Sequence, residues 1–143
     1  MLATPGAGAT GPAQFMTSPD WEFMAEAAWD ARENARVYGP TRVGAAVLCS
    51  NGRLFVGCNV EHRFRSHDVH AEVNALTTMV AAGEGPAVAL LIAAERDRFT
   101  PCGSCLDWIF ELGGPDCLVA FQPAKGTDVS VHRASELMPH YPY

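Results

Sequence analysis

The 143-residue chain has no apolar run long enough to cross a bilayer as a helix. It has no surplus of basic charge either. Ten Lys and Arg stand against sixteen Asp and Glu, for a net charge of -6 and a pI of about 5.2. A surface of that sign holds a phosphate polymer poorly, which argues against a nucleic-acid polymer as the main partner. The N-terminal stretch lacks the basic start and apolar core of a secretory signal, so the chain is expected to be cytoplasmic. Disulfide arithmetic fails too, because five cysteines (Cys49, Cys58, Cys102, Cys105, Cys117) are an odd number. In a reducing compartment they read as thiols or metal ligands. There is no internal repeat and no linker to a second domain.

What is present is an ordinary globular composition, 48% hydrophobic and 18% charged, too apolar for disorder. Residues 1–17, rich in Gly, Pro, Ala and Thr, read as a flexible leader, and 18–143 as a single domain. "SPDWEFMAEAAWDARENARVY" predicts an amphipathic helix capped by Ser18, with Pro19 next, ending at Gly39-Pro40. "RVGAAVLCSNGRLFVGCNV" predicts a hairpin with a two-residue Asn51-Gly52 turn. "HAEVNALTTMVAAG" reads as a buried helix stopped by Gly83, and "AVALLIAAE" as a strand covered on both faces. "TPCGSCLDWIFELGG" reads as a helix with Thr100 as its cap, followed by strands at "CLVAF" and "DVSVH" and a short helix at "ASELM". The order points to an α/β fold, a mixed sheet with helices on both faces.

Two motifs carry chemistry. His70-Ala71-Glu72 opens one helix and Pro101-Cys102-Gly103-Ser104-Cys105 opens another, with a strand between them. The helices can then lie side by side with their N-termini at one end of the sheet, where ligands collect. A helix N-terminus favours thiolates. A two-residue gap lets both sulfurs reach one tetrahedral ion. With His70 added, the three donors form a set suited to zinc, leaving a fourth position for water. Glu72, two residues on, misses the metal but can reach that water, the place for a proton shuttle. H-x-E with P-C-x-x-C is the signature of zinc deaminases.

On these motifs, together with "VGAAV", "NGRLFVGCNVE" and "ELMP", the sequence resembles the cytidine deaminase family of cytidine- and deoxycytidylate-type enzymes, including blasticidin S deaminase-like members. The resemblance runs from about Trp21 to the end. It implies a three-layer α/β/α sandwich around a mixed five-stranded sheet. It implies one zinc per chain on His70, Cys102 and Cys105, Glu72 as proton carrier, and hydrolytic deamination of a cytosine nucleoside in pyrimidine salvage. Asn59 and Glu61 stand at the family's N-x-E motif for a ribose hydroxyl, and Ala71 joins them in the implied substrate-binding set. The small family members imply a homotetramer.

The sequence departs from the family's usual pattern at four places. Histidine stands at 70 where small members carry cysteine. Thr41 stands where a base-stacking phenylalanine is usual. Leu106-Asp107 replaces arginine-glutamine. His62-Arg63-Phe64-Arg65 replaces small and tyrosyl residues. Arg63 and Arg65 suit an anionic group on a modified cytosine nucleoside, with Phe64 supplying the missing ring. The plainer expectation is a basic loop paired with acids of a neighbouring subunit. Competing chemistry is a thiol–disulfide oxidoreductase using Cys102 and Cys105, or a closed structural zinc site with His67 or Asp68 as fourth ligand. His67 and Asp68 are also candidates to cap the helix at His70. Cys49, Cys58 and Cys117 read as small core residues, and the terminal "PHYPY" as a frayed tail.

Overall fold

The computed structural model describes residues 16–98 and 101–142. Its elements are α1 (Trp21–Arg32), β1 (Val43–Cys49), β2 (Leu54–Cys58), a 3-10 turn (Arg65–His67), α2 (Ala71–Ala81), β3 (Ala87–Ala94), α3 (Gly103–Gly113), β4 (Leu118–Gln122), β5 (Ser130–Arg133) and α4 (Ala134–Leu137). The five strands form one sheet in the order β2-β1-β3-β4-β5. Only β3 and β4 run parallel, joined by α3; the other neighbours are antiparallel. The mixed α/β sheet expected from the sequence is therefore the observed one.

Strand alternation divides the core into two layers. Ala45, Val47, Phe55, Leu90, Ile92, Val119 and Phe121 face α2 and α3. Ala46, Leu48, Ala89, Leu91, Ala93 and Ala120 face α1. β3 is almost wholly buried because helices cover both its faces, which is why it reads as an unbroken apolar run.

Two glycines let the helices press onto the hairpin. A Cβ at Gly44 would run into the Ala28 carbonyl of α1. A Cβ at Gly57 would run into the backbone of α2, with the Ala71 oxygen 2.8 Å away. Asn74 adds a polar tie between α2 and β2, accepting the Cys58 N–H at 2.9 Å. The start of α2 is thus fixed against the strand by close backbone contact and one side-chain hydrogen bond.

Several local expectations need correction. The cap of α1 is Asp20, which accepts the Phe23 N–H at 3.0 Å, in place of Ser18. A carboxylate at the positive end of a helix is the stronger acceptor. The helix stops at Arg32, well before Gly39-Pro40. The residues beyond it pair with 59–61 instead: Arg36 donates to the Asn59 carbonyl at 3.1 Å and accepts from the Glu61 N–H at 2.7 Å. The hairpin loop is longer than the expected two-residue turn. Gly52 (φ 93°) takes the left-handed conformation while Asn51 Oδ1 accepts the Arg53 N–H. Thr100 lies outside the described residues, and the cap of α3 is Cys102. The C-terminal segment is docked through Tyr141, which stacks on Phe110 with centroids 4.1 Å apart and hydrogen-bonds Asp107. Of the leader expected over 1–17, residues 1–15 lie outside the described part; Met16 donates its N–H to the Gly52 carbonyl. Among the described residues, no helix is long and apolar enough to cross a membrane.

Candidate active site

The two motif helices begin at the same place. His70 is the cap residue of α2 and Cys102 that of α3. Both helices pack on the same sheet face, so their first turns meet beside the C-terminal end of β3. His70 Nδ1 lies 3.2 Å from Cys105 Sγ and 3.5 Å from Cys102 Sγ. Cys102 Sγ also accepts the Cys105 N–H at 3.5 Å, as a capping side chain does. All three donor atoms lie within 4.8 Å of one another. Tetrahedral zinc, with bonds of about 2.0 Å to nitrogen and 2.3 Å to sulfur, sets nitrogen and sulfur ligands about 3.6 Å apart. The donor set and its spacing therefore fit zinc.

The three donors differ in burial. Cys105 is fully buried, whereas His70 and Cys102 are exposed. Burial, reinforced by the charge of Glu72, pushes the Cys105 thiol up. A cation at the site would reverse that preference by stabilising thiolate. Glu72 is 5% exposed. Burial raises its carboxyl, opposed by its own N–H, by His70 and by the Cys105 side chain. The carboxyl therefore sits beside the donors without being one of them. An acid raised by burial and placed next to a metal's open position can both take and return a proton. Among the described residues the donor group has three members. Asp68, one of the two candidate fourth ligands, is occupied elsewhere, accepting the His62 N–H and an Arg65 N–H. Nor does the α2 cap, His70, gain a side-chain hydrogen bond from itself, and Asp68 does not supply one.

Asn59 and Glu61 follow directly on β2. Val60 pairs with Val69 through two backbone hydrogen bonds, which sets the N-x-E segment against the chain entering His70. Both side chains are buried and already engaged. Asn59 accepts the Val43 N–H and donates to the Thr41 carbonyl, each at 2.9 Å. Glu61 Oε1 accepts the N–H groups of Tyr38 (2.6 Å) and Gly39 (3.0 Å), and Oε2 meets Arg65 at 3.1 Å. Those two backbone N–H groups hold its carboxyl below the usual range. Ala71 is fully buried in the first turn of α2.

In the departing loop, Arg65 pairs with Glu61 and Asp68 of its own chain. Phe64 is 62% exposed and stacks on His62, centroids 5.6 Å apart. Arg63 makes no ion pair or hydrogen bond among the described residues. Sequence reasoning missed Asn74 and the Tyr38-Gly39 backbone. A lone amide within the apolar "EVNAL" turn was the signal for the first; nothing in the sequence marks the second.

Residues 17–121 match the family model described as "Cytidine and deoxycytidylate deaminase zinc-binding region". The chain belongs to that deaminase family. It is 33% identical to a cytidine deaminase of Halalkalibacterium halodurans over 84% of this chain and 92% of that one. It is likewise 33% identical to a probable cytidine deaminase of Dictyostelium discoideum, over 78% of each. A crystal structure of cytidine deaminase from Burkholderia pseudomallei superposes with a TM-score of 0.79 at 35% identity, covering 85% of this chain and 98% of that one. The deaminase sheet and its three-layer covering are those of this chain.

Proposed function

We propose that this deaminase hydrolyses a free cytosine nucleoside, cytidine or deoxycytidine, to the uracil nucleoside and ammonia. The observation that carries the reading is the meeting of His70 Nδ1 with the Cys102 and Cys105 sulfurs beside the buried Glu72. In this reading His70, Cys102 and Cys105 hold one zinc per chain. Zinc, when bound there, lowers the pKa of water to near neutrality. Glu72 takes a proton from the water that adds at C4 and delivers it to ring N3; it then takes the proton of the new C4 hydroxyl and passes it to the departing amino group, so that the C–N bond breaks as the C4 carbonyl forms. One water is consumed and one ammonia released. Asn59 and Glu61 hold a ribose hydroxyl with the hydrogen-bonding capacity their backbone contacts leave over. Ala71 lines the base pocket with its backbone. The domain acts over 18–143, in the cytoplasm, as a homotetramer like that expected of the small members.

A second substrate reading rests on one observation. Arg63 lies free beside the exposed ring of Phe64, while Arg65 is committed to Glu61 and Asp68. A modified cytosine nucleoside bearing an anionic group, or a blasticidin-like antibiotic, would meet that pair. The thiol–disulfide alternative is disfavoured, because it leaves the approach of His70 Nδ1 to both sulfurs and the buried Glu72 without a role.

The test follows ammonia release from cytidine, deoxycytidine, cytosine and blasticidin S. The first two should be deaminated with the highest kcat/KM. Turnover of blasticidin S alone would favour the second reading, and turnover of none would overturn both.

A further inference from the structure

Arg65 sits at the base of the 62–67 loop and touches both of its ends. Its Nη2 lies 3.1 Å from Glu61 Oε2, and its Nε donates to Asp68 Oδ2 at 2.8 Å. Asp68 Oδ1 in turn accepts the His62 N–H at 2.8 Å. The other oxygen of Glu61 is fixed by Tyr38 and Gly39. The Glu61 carboxylate is therefore gripped from two sides: a backbone pair holds one oxygen and a guanidinium the other. Its side chain is only 10% exposed, whereas that of Arg65 is 57% exposed. A carboxylate with so little water needs a fixed partner to hold one orientation. Without Arg65, Glu61 would face Asp68 with no cation between them.

We propose that Arg65, anchored by Asp68, is a positioning residue that orients the Glu61 carboxylate for a ribose hydroxyl and so sets how strongly the enzyme distinguishes ribose from a sugar lacking hydroxyls. The inference rests on the reading of Glu61 as a sugar contact. Arginine suits the task because its planar fork meets two carboxylates at once, which a lysine ammonium on a flexible stem does not do with fixed geometry. The acidic partners are in this chain, and the loop's other cation, Arg63, takes no part in the grip.

The test compares KM and kcat for cytidine and 2′,3′-dideoxycytidine in wild type, Glu61→Gln, Arg65→Ala, Arg65→Lys and the Glu61→Gln/Arg65→Ala double variant. Zinc content and thermal midpoint serve as folding controls. Arg65→Ala should raise KM for cytidine about tenfold, the loss of one well-placed charge-assisted hydrogen bond. Its KM for the dideoxynucleoside and its kcat should stay near wild type. Arg65→Lys should recover part of the loss, and the double variant should be no worse than Glu61→Gln. Equal KM increases for both nucleosides, or an unchanged ratio in Arg65→Ala beside a changed one in Glu61→Gln, would overturn the positioning role alone. An unchanged ratio in Glu61→Gln would overturn the sugar-contact reading and the proposal with it. Should Arg65→Ala fail to fold, Asp68→Asn, which weakens the anchor, carries the same predictions at smaller size.

Discussion

The candidate metal corner and the proposed sugar corner of this protein are assembled differently. At the metal corner, His70, Cys102 and Cys105 converge because two helix starts converge, and each residue belongs to a short local motif. At the sugar corner, Asn59 and Glu61 are held by residues 16 to 25 positions away, at Thr41, Val43, Tyr38, Gly39 and Arg36, and Glu61 also by Arg65, four positions on. Both corners join distant parts of the chain, His70 and Cys105 being 35 positions apart; the first brings together side chains at two helix starts, the second ties side chains to loop backbone.

Removing a donor should break the metal corner outright. Cys105→Ser places a hydroxyl where a buried sulfur stood, and we expect ammonia release to fall by on the order of a thousandfold with loss of zinc. Full zinc by elemental analysis would count against Cys105 as a ligand. Next in size is a contrast between two glycines. Gly44→Ala and Gly57→Ala should each destabilise by about 1–3 kcal/mol or more through overpacking, read by denaturant unfolding. Only Gly57→Ala pushes against the first turns of α2, which bear His70 and Glu72, so only it should also weaken zinc retention against a chelator. Equal zinc retention in the two variants would separate the site from the packing of α2. Asn74→Ala leaves the Cys58 N–H without its acceptor, and a loss of about 1–2 kcal/mol in denaturant unfolding is expected.

The smallest effect sharpens the sugar corner. Glu61 has its carboxyl held down by the Tyr38 and Gly39 N–H groups. A carboxylate depressed on folding adds stability above its unfolded value, and that stability is lost as pH falls through the folded one. The thermal midpoint of wild type should therefore fall more steeply than that of Glu61→Gln as pH drops below 4.5. Parallel curves would show that those contacts do not favour the charged form.

This division also explains what could be read from the sequence. Strand alternation, the buried run of β3 and the two helix-opening motifs are local patterns, and each named its element correctly. The expected cap at Ser18 and the long reach of α1 were misleading, because Asp20 competes for the cap and Arg36 finds a strand-like partner at 59–61. Arg65 illustrates the same limit. Its identity suggested a ligand grip, but its partners, Glu61 and Asp68, lie four and three residues away across a turn whose shape no spacing rule dictates. Tyr141 was expected in a frayed tail, yet the flat face of Phe110 gives it a seat.

The central claim is that one zinc held by the two helix starts is served by Glu72. Its most direct test is Glu72→Ala, with zinc per chain and ammonia release from cytidine measured on the same sample. The expected result is one zinc per chain with release reduced by about 100- to 10,000-fold, the range for losing a positioned acid–base group. Undiminished ammonia release from the zinc-loaded variant would contradict the account.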